Sequence, residues 1–360
     1  MQFPAPARTK LLGVETARGI AACLVVFYHA ARHVALATGE KPFGSLTQFG
    51  HAGVDFFFVL SGFIIMHAHW TDLGRPQRAG HYVQRRFTRV FPVYWAVLAV
   101  TLAVGLVSRG VFPAASELLR DIFLLPYGTP AVGVAWTLQY EMIFYTAFLL
   151  LILHRGAGRL LFAGWIVLIL AAFIMPQAVA DTPLQMPSGT YCVQFFMGML
   201  AAVALRHARF PAPGLLFAAG GAGFLAIGIM ENLGYLDGYA SSARFAYGIP
   251  ATVLLIGLVA RERQTGFRLP RAAIAVGSAS YAIYLMHLLG IGITWKVLEK
   301  CGLTALLPRE ASFLAVSVAG ILAGVIGHRL IERPLIAWSR RLFERRPRMA
   351  AASGRSTSQA

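Results

Sequence analysis

The sequence predicts an all-α integral membrane protein: a bundle of about ten transmembrane helices with both termini in the cytoplasm. The first observation is composition, because 57% of the 360 residues are hydrophobic and only 13% are charged. The second is a series of apolar runs of about 17 to 25 residues, the length that crosses roughly 30 Å of hydrocarbon. The third is the uneven distribution of Lys and Arg between alternate loops. Together they exclude a soluble globular domain.

The apolar runs divide the chain into its elements. We expect a cytoplasmic segment over residues 1–13, a membrane domain over 14–335, and a basic, partly disordered cytoplasmic tail over 336–360. The predicted spans are 14–34, 52–70, 87–108, 132–153, 159–175, 190–206, 213–230, 245–260, 273–295 and 311–331.

Basic residues give an independent check on this topology, since cytoplasmic loops are rich in Lys and Arg. With ten spans, 23 of the 32 Lys and Arg residues fall on inner segments and 8 on outer ones, leaving Arg18 within a span. An odd number of spans would spoil this alternation. Topology and attraction to anionic membrane lipids therefore account for most of the net charge of +17, and no nucleic-acid partner is needed to explain it.

The first span carries two ionisable side chains, Arg18 and His29. Eleven residues of α-helix make roughly three turns and rise roughly 16 Å, so both side chains lie on one face. Ionisable groups within a span usually face the bundle interior or a substrate path, which favours a functional role. The alternatives are that Arg18 extends to the membrane surface and that His29 is a hydrogen-bonded packing residue.

Two further spans place carboxylates at the predicted depth of His29. The second span opens with Gly-Val-Asp-Phe-Phe-Phe-Val-Leu-Ser-Gly-Phe at 53–63, which includes Asp55. The fourth contains Trp-Thr-Leu-Gln-Tyr-Glu-Met-Ile-Phe-Tyr at 136–145, which puts Glu141 in the outer half. Either acid could instead balance a buried cation or cap a helix end.

The ninth span repeats aromatic and ionisable residues at a spacing of three. Tyr281, Tyr284 and His287 share one helical face, with His287 past the midpoint toward the outside. An interfacial aromatic band is the alternative interpretation. If the helices are arranged suitably, His287 joins His29 and the two acids in an outer layer of ionisable groups.

A cationic layer is predicted near the inner surface. Arg86 and Arg89 lie on one face at the start of the third span, with Arg18 at a similar depth. Guanidinium groups offer paired donors that suit phosphate. The positive-inside tendency alone could also explain these arginines.

These elements together resemble the membrane-bound acyltransferase type 3 family, over about residues 10 to 340 and in the same order. The matching elements are Arg18 with His29, the run at 53–63, Arg86 with Arg89, Trp136 with Glu141, Ser280 to His287, and Glu332 to Pro334. The run at 136–145 looks most like that of exopolysaccharide O-acetyltransferases of the succinoglycan type. Gln139 and Met142 depart from the pattern of many other members.

The resemblance implies transfer of an acyl group, usually acetyl from cytoplasmic acetyl-CoA, to a hydroxyl of a polysaccharide or lipid-linked glycan at the outer face. It also implies a multi-pass protein of the bacterial inner membrane, with acyl-CoA as a substrate and neither a metal nor a permanently bound cofactor. The alternatives are a small-molecule or lipid acceptor, or a polytopic transporter or flippase. No internal repeat of the kind found in many transporters is visible.

The residues and the resemblance lead to a mechanistic hypothesis. We expect Arg18, Arg86 and Arg89 to bind the CoA phosphates, while His29 acts as general base toward the acceptor hydroxyl, or is itself acylated. Asp55 or Glu141 would orient its ring. Residues expected to contact the acceptor or support the base are Ser61, Trp136, Tyr281, Tyr284 and His287.

Overall fold

The structure, a computed structural model, describes residues 11–110 and 112–344, and these are helical without any β-strand. The predicted membrane class and all-α fold are confirmed. The helices are α1 (Leu12–Thr38), α2 (Gly53–His69), α3 (Ala79–Arg109), α4 (Ala115–Phe123), α5 (Trp136–Leu153), α6 (Arg155–Ile174), α7 (Tyr191–His207), α8 (Pro213–Asn232), α9 (Ala243–Thr265), α10 (Arg271–Ser278), α11 (Ser280–Lys300), α12 (Arg309–Gly327) and α13 (Arg333–Glu344).

Nine helical segments in the described part of the chain are long and apolar enough to cross a membrane. The remaining predicted span corresponds to α7, which is apolar but has only 17 residues. A helix of that length spans about 26 Å, close to the thickness of the hydrocarbon layer. The sidedness of the termini stays a prediction. We refer below to the end of the bundle that holds the start of α1 as the basic end.

Several elements differ from the sequence expectations. The predicted ninth span is divided at Ala279 into α10 and α11. Small residues in this stretch hide the break from a hydropathy pattern, yet they allow α10 to cross α1 closely at Gly277 and Gly19. After α12 the chain continues through a π-helical turn, His328–Glu332, into α13. The rest of the predicted tail, from 345, and residues 1–10 lie outside the described residues.

The first helix occupies the centre of the arrangement. It contacts α2, α9, α10, α11 and α12, and its Arg18 and His29 side chains are partly buried against protein, whereas Arg32 is exposed. By contrast, α6 and α8 expose many of their apolar side chains, as expected for lipid-facing helices. The prediction that one face of this helix points toward the bundle interior agrees with these contacts.

Glycines set the close crossing of α2 and α7. A Cβ atom added at Gly198 would lie 1.8 Å from the backbone oxygen of Val59, and one added at Gly62 would lie 2.0 Å from that of Phe195. Membrane helices gain packing energy from such small residues, because they let backbones approach. This crossing carries Asp55, Ser61 and Gln194 into the bundle.

We predict that Gly198→Ala destabilises the protein by at least about 2 kcal/mol, because the backbones of α2 and α7 must separate. The measurement is the thermal unfolding midpoint of the detergent-purified protein. Gly164→Ala is the matched control, since a Cβ atom there meets no atom within 4 Å. Equal midpoints for the two variants would contradict this account of the crossing.

Candidate active site

A cavity of about 70 Å³ lies between α1, α2, α3, α5 and α11. It contains two arginines, a carboxylate and two tyrosines among apolar side chains. The predicted site residues in its wall are Arg18, Arg89, Glu141, Tyr281 and Tyr284. The fold therefore brings together residues from four helices that are distant in sequence.

Glu141 is held in this cavity by two hydroxyl groups. Ser61 Oγ donates to Oε1 and Tyr145 OH donates to Oε2, each at 3.0 Å. Glu141 lines the same cavity as Arg18 and Arg89. That it lies at the depth of His29 stays a prediction.

The loop before α5 packs against the first turns of that helix. Gln139 Nε2 donates to the carbonyl oxygens of Leu125 and Tyr127 at 2.6 and 3.2 Å, so the loop lies along the first turns of α5. The helix begins at Trp136. Further along it, the Glu141 carboxylate complements the charge of Arg18 and Arg89 around the cavity.

The structure does bring His29 and His287 together. Their ring centroids are 5.2 Å apart, and the ring of Tyr284 lies 6.1 Å from that of His287. Because Tyr284 also lines the cavity, it stands between the cavity and the histidine pair. Among the described residues, no hydrogen bond is made by the His29 side chain, whose ring contacts are with Tyr28 and His287.

The hydrogen bonding of His287 determines its neutral tautomer. Its side chain is fully buried, and Nδ1 lies 3.1 Å from the carbonyl oxygen of Ile283. A carbonyl only accepts, so Nδ1 carries the proton and Nε2 holds a lone pair. Within the described part of the chain Nε2 is buried without a partner. It is one of several buried polar atoms without a partner in that part of the chain, and its lone pair can accept a proton or a hydrogen bond.

Asp55 does not orient His29. Its carboxylate accepts from Arg244, with Nη1 at 2.8 Å from both oxygens, and from Gln194 Nε2. Among the described residues no hydrogen bond joins it to His29. The predicted dyad is therefore corrected, because a fully buried carboxylate is stabilised far more by a cation than by a neutral imidazole.

Arg244 also connects this pair to the surrounding structure. It donates to Tyr191 OH at 3.0 Å and to the carbonyl oxygen of Gly238, and it lies over the Tyr191 ring. The sequence analysis assigned no site role to Arg244 or to Gln194. Two features could have indicated them: an arginine in the first turn of the apolar helix α9, and a glutamine within the apolar helix α7.

Arg86 and Arg89, which were predicted to act together, have different surroundings. Arg86 donates to His69 Nε2 at 3.1 Å, and His69 Nδ1 bonds Asp72 at 2.8 Å. Arg86 also packs over the rings of Tyr82 and Tyr145. Arg89 instead has an exposed side chain that borders the cavity. Arg89 is thus better placed for an incoming anion than Arg86.

The other supporting residues lie near the same helices. Tyr281 OH donates to the carbonyl oxygen of Val90 at 3.0 Å, and Tyr284 OH donates to that of Val134 at 3.1 Å. Trp136 packs on Tyr191, with ring centroids 5.1 Å apart, and does not line the cavity. Its contribution is to the aromatic packing beside Arg244.

The fold and site define a polytopic membrane protein with a buried polar site, and comparison with known proteins places it in a family. Residues 11–329 match the family described as an acyltransferase domain. Exopolysaccharide production protein ExoZ of Rhizobium meliloti (strain 1021) is 30% identical over 305 residues, covering 80% of this chain and 90% of that protein. Acyltransferase MdmB of Streptomyces mycarofaciens is 25% identical, covering 99% and 98%. No solved structure matches.

The chain therefore belongs to this acyltransferase family, and the resemblance drawn from the motifs is confirmed. With its nine described candidate spans, it is a multi-pass membrane acyltransferase. The family assignment also favours an enzyme over the transporter alternative.

We predict that Arg244→Gln lowers stability by about 3–5 kcal/mol, because it leaves the Asp55 carboxylate buried without its cation. The double variant that also carries Asp55→Asn should recover part of this loss. Thermal unfolding midpoints of Arg244→Gln, of Asp55→Asn and of the double variant give the coupling energy between the two side chains. Glu40→Gln, which breaks the exposed pair of Glu40 with Arg309, is the control and should change little. Additive effects of the two buried substitutions would contradict the pairing.

Proposed function

We propose that this protein transfers an acetyl group from acetyl-CoA to a hydroxyl of an exopolysaccharide or another cell-surface glycan. The observation that carries the proposal is the pair of His29 and His287. Tyr284 contacts His287 on one side and lines the arginine-bordered cavity on the other. The name of the Rhizobium meliloti relative refers to exopolysaccharide production and supports the choice of acceptor. The inner membrane of a bacterium is the proposed location.

The donor is proposed to enter from the basic end. Arg89 is exposed beside the cavity and Arg18 is half-buried in its wall. Their guanidinium groups can therefore donate hydrogen bonds to CoA phosphates at different depths. The cavity volume of about 70 Å³ is several times the roughly 15 Å³ needed for one water. That space suits a small acyl thioester such as acetyl.

His29 is the proposed general base. The acceptor oxygen attacks the thioester carbonyl carbon and forms the new C–O bond, while the hydroxyl proton passes to the imidazole of His29. The C–S bond then breaks, and the CoA sulfur takes up that proton. Histidine suits this exchange because a ring nitrogen of a neutral imidazole can accept a proton and release it again.

The other polar residues have supporting roles in this scheme. The Nε2 lone pair of His287 can accept a hydrogen bond from a protonated His29, and so stabilise the imidazolium that forms during transfer. Glu141 balances the charge of Arg18 and Arg89 around the cavity. Asp55 acts through Arg244 rather than on the reacting atoms.

The acceptor and the base are tested together in cells. O-acetyl groups on surface polysaccharide are measured by mass spectrometry or proton NMR in a deletion strain complemented with wild type, His29→Ala or His33→Ala. We expect wild type and His33→Ala to restore acetylation, and His29→Ala to fall at least about 100-fold. His33 is the matched control because it lies one turn along α1 and packs on Trp295. Unchanged acetylation in the deletion strain would overturn the proposed acceptor.

We also predict that Arg89→Gln raises the KM for acetyl-CoA about tenfold or more, because a charge-assisted bond to phosphate is lost. Release of free CoA thiol by the purified protein is the measurement. Arg78→Gln removes an exposed arginine at the same end of the bundle, which has only a distant ion pair with Asp72. The donor-binding assignment fails if both variants have the wild-type KM.

A further inference from the structure

A second polar cluster adjoins His29 at the end of the bundle opposite the basic end. The ring of Tyr28 lies 5.0 Å from that of His29 and 5.6 Å from that of His51. Tyr239, from the loop between α8 and α9, stacks on His51 with centroids 4.7 Å apart and planes at 21°. The hydroxyl groups of Tyr28 and Tyr239 are hydrogen-bonded to each other. The cluster therefore continues directly from the histidine pair.

The cluster is open on one side. Tyr239 is 59% exposed although His51 covers one face of its ring, so the opposite face is accessible. Arg32, one turn beyond Tyr28 on α1, is also exposed and donates to Tyr28 OH at 3.2 Å. An aromatic face and several hydrogen-bonding groups are thus presented together, next to the proposed base.

The groups beneath this open face are fixed in position. His51 is buried, and its Nε2 lies 2.8 Å from Glu231 Oε1. Tyr247 OH donates to Glu231 Oε2 at 2.6 Å, which anchors the carboxylate. A carboxylate accepts, so Nε2 of His51 carries the proton and the orientation of the ring is set.

The loop that carries Tyr239 is held by the buried ion pair. Arg244, paired with Asp55, donates to the carbonyl oxygen of Gly238, the residue before Tyr239. The backbone N–H of Tyr239 donates to Asp237 Oδ1 at 2.9 Å. The exposed ring is therefore presented from an anchored loop rather than from a free one, which reduces the entropy lost on binding.

We propose that Tyr28, Arg32 and Tyr239, supported by the buried ring of His51, form the subsite that binds the acceptor sugar beside His29. Sugar rings present C–H groups on one face, which pack on an aromatic ring, and hydroxyls at their edge, which exchange hydrogen bonds with tyrosine and arginine. This proposal rests on the proposed function, since it supplies the acceptor to the same base. It assigns glycan recognition to α1 and the α8–α9 loop.

Direct binding tests the subsite separately from catalysis. The probe is an oligosaccharide prepared from the unacetylated surface polysaccharide of the deletion strain, titrated without donor against the purified full-length protein in nanodiscs. We expect Tyr239→Ala to weaken binding roughly tenfold and Tyr239→Phe to retain most of it. Tyr235→Ala is the matched control, because this tyrosine is 77% exposed on the same loop but lies outside the cluster.

Kinetics with the same oligosaccharide and acetyl-CoA complete the test. Tyr239→Ala should raise the acceptor KM by a similar factor, while Tyr235→Ala should leave it unchanged. Wild-type protein that fails to bind the oligosaccharide, or Tyr239→Ala that binds it equally well, would overturn the subsite. Binding that depends on Tyr239 without any acetyl transfer would support the subsite and overturn the proposed function instead.

Discussion

Charged side chains inside an apolar helical bundle must be paired, and most of this structure's polar arrangement follows from that constraint. Water is scarce there, so an unpaired buried charge is strongly destabilising. Asp55 is neutralised by Arg244, and Glu141 is bound by the hydroxyls of Ser61 and Tyr145. His29 and His287 instead contact each other through their rings, and His287 Nε2 is one of several buried side-chain atoms without a partner among the described residues. We interpret the pair as the position where protons are handled.

The constraint also explains what sequence reasoning could and could not predict. Periodicity within one helix places Arg18 and His29 on the same face, and the bundle contacts of α1 agree with that. The partner of Asp55 depends on how distant helices are arranged, because Arg244 lies 189 residues away in sequence. The contact of Glu141 with Ser61 depends in the same way on how α2 and α5 are arranged. Neither property is visible in a hydropathy pattern or a motif.

Backbone packing limited the sequence prediction in a similar way. The predicted ninth span is interrupted at Ala279, and just before it Gly277 allows α10 to meet α1 closely. The small apolar residues there conceal the break from a hydropathy pattern. The motifs were more informative, since their combined order identified the family that the comparisons confirm. The motifs could therefore be recognised in the sequence, whereas the pairing of Asp55 with Arg244 could not.

The resulting arrangement connects two ends of the bundle through its centre. Arg89 and Arg18 border the cavity from the basic end, Tyr284 separates that cavity from the histidines, and Tyr28 leads from His29 to the exposed ring of Tyr239. In this account donor and acceptor approach from opposite faces of the membrane and meet at His29. The close glycine crossings hold the surrounding helices in place for this meeting.

Measuring the sidedness of transfer tests whether donor and acceptor act from opposite faces of the membrane. Inside-out vesicles from cells that produce the protein are loaded with unacetylated surface polysaccharide, and radiolabelled acetyl-CoA is added to the outer solution, which bathes the cytoplasmic face. We expect the label to reach the enclosed polysaccharide. Right-side-out vesicles given the same external donor should show no labelled polysaccharide. Equal labelling in both orientations, or labelling only of polysaccharide on the donor's side, would contradict transfer through the bundle.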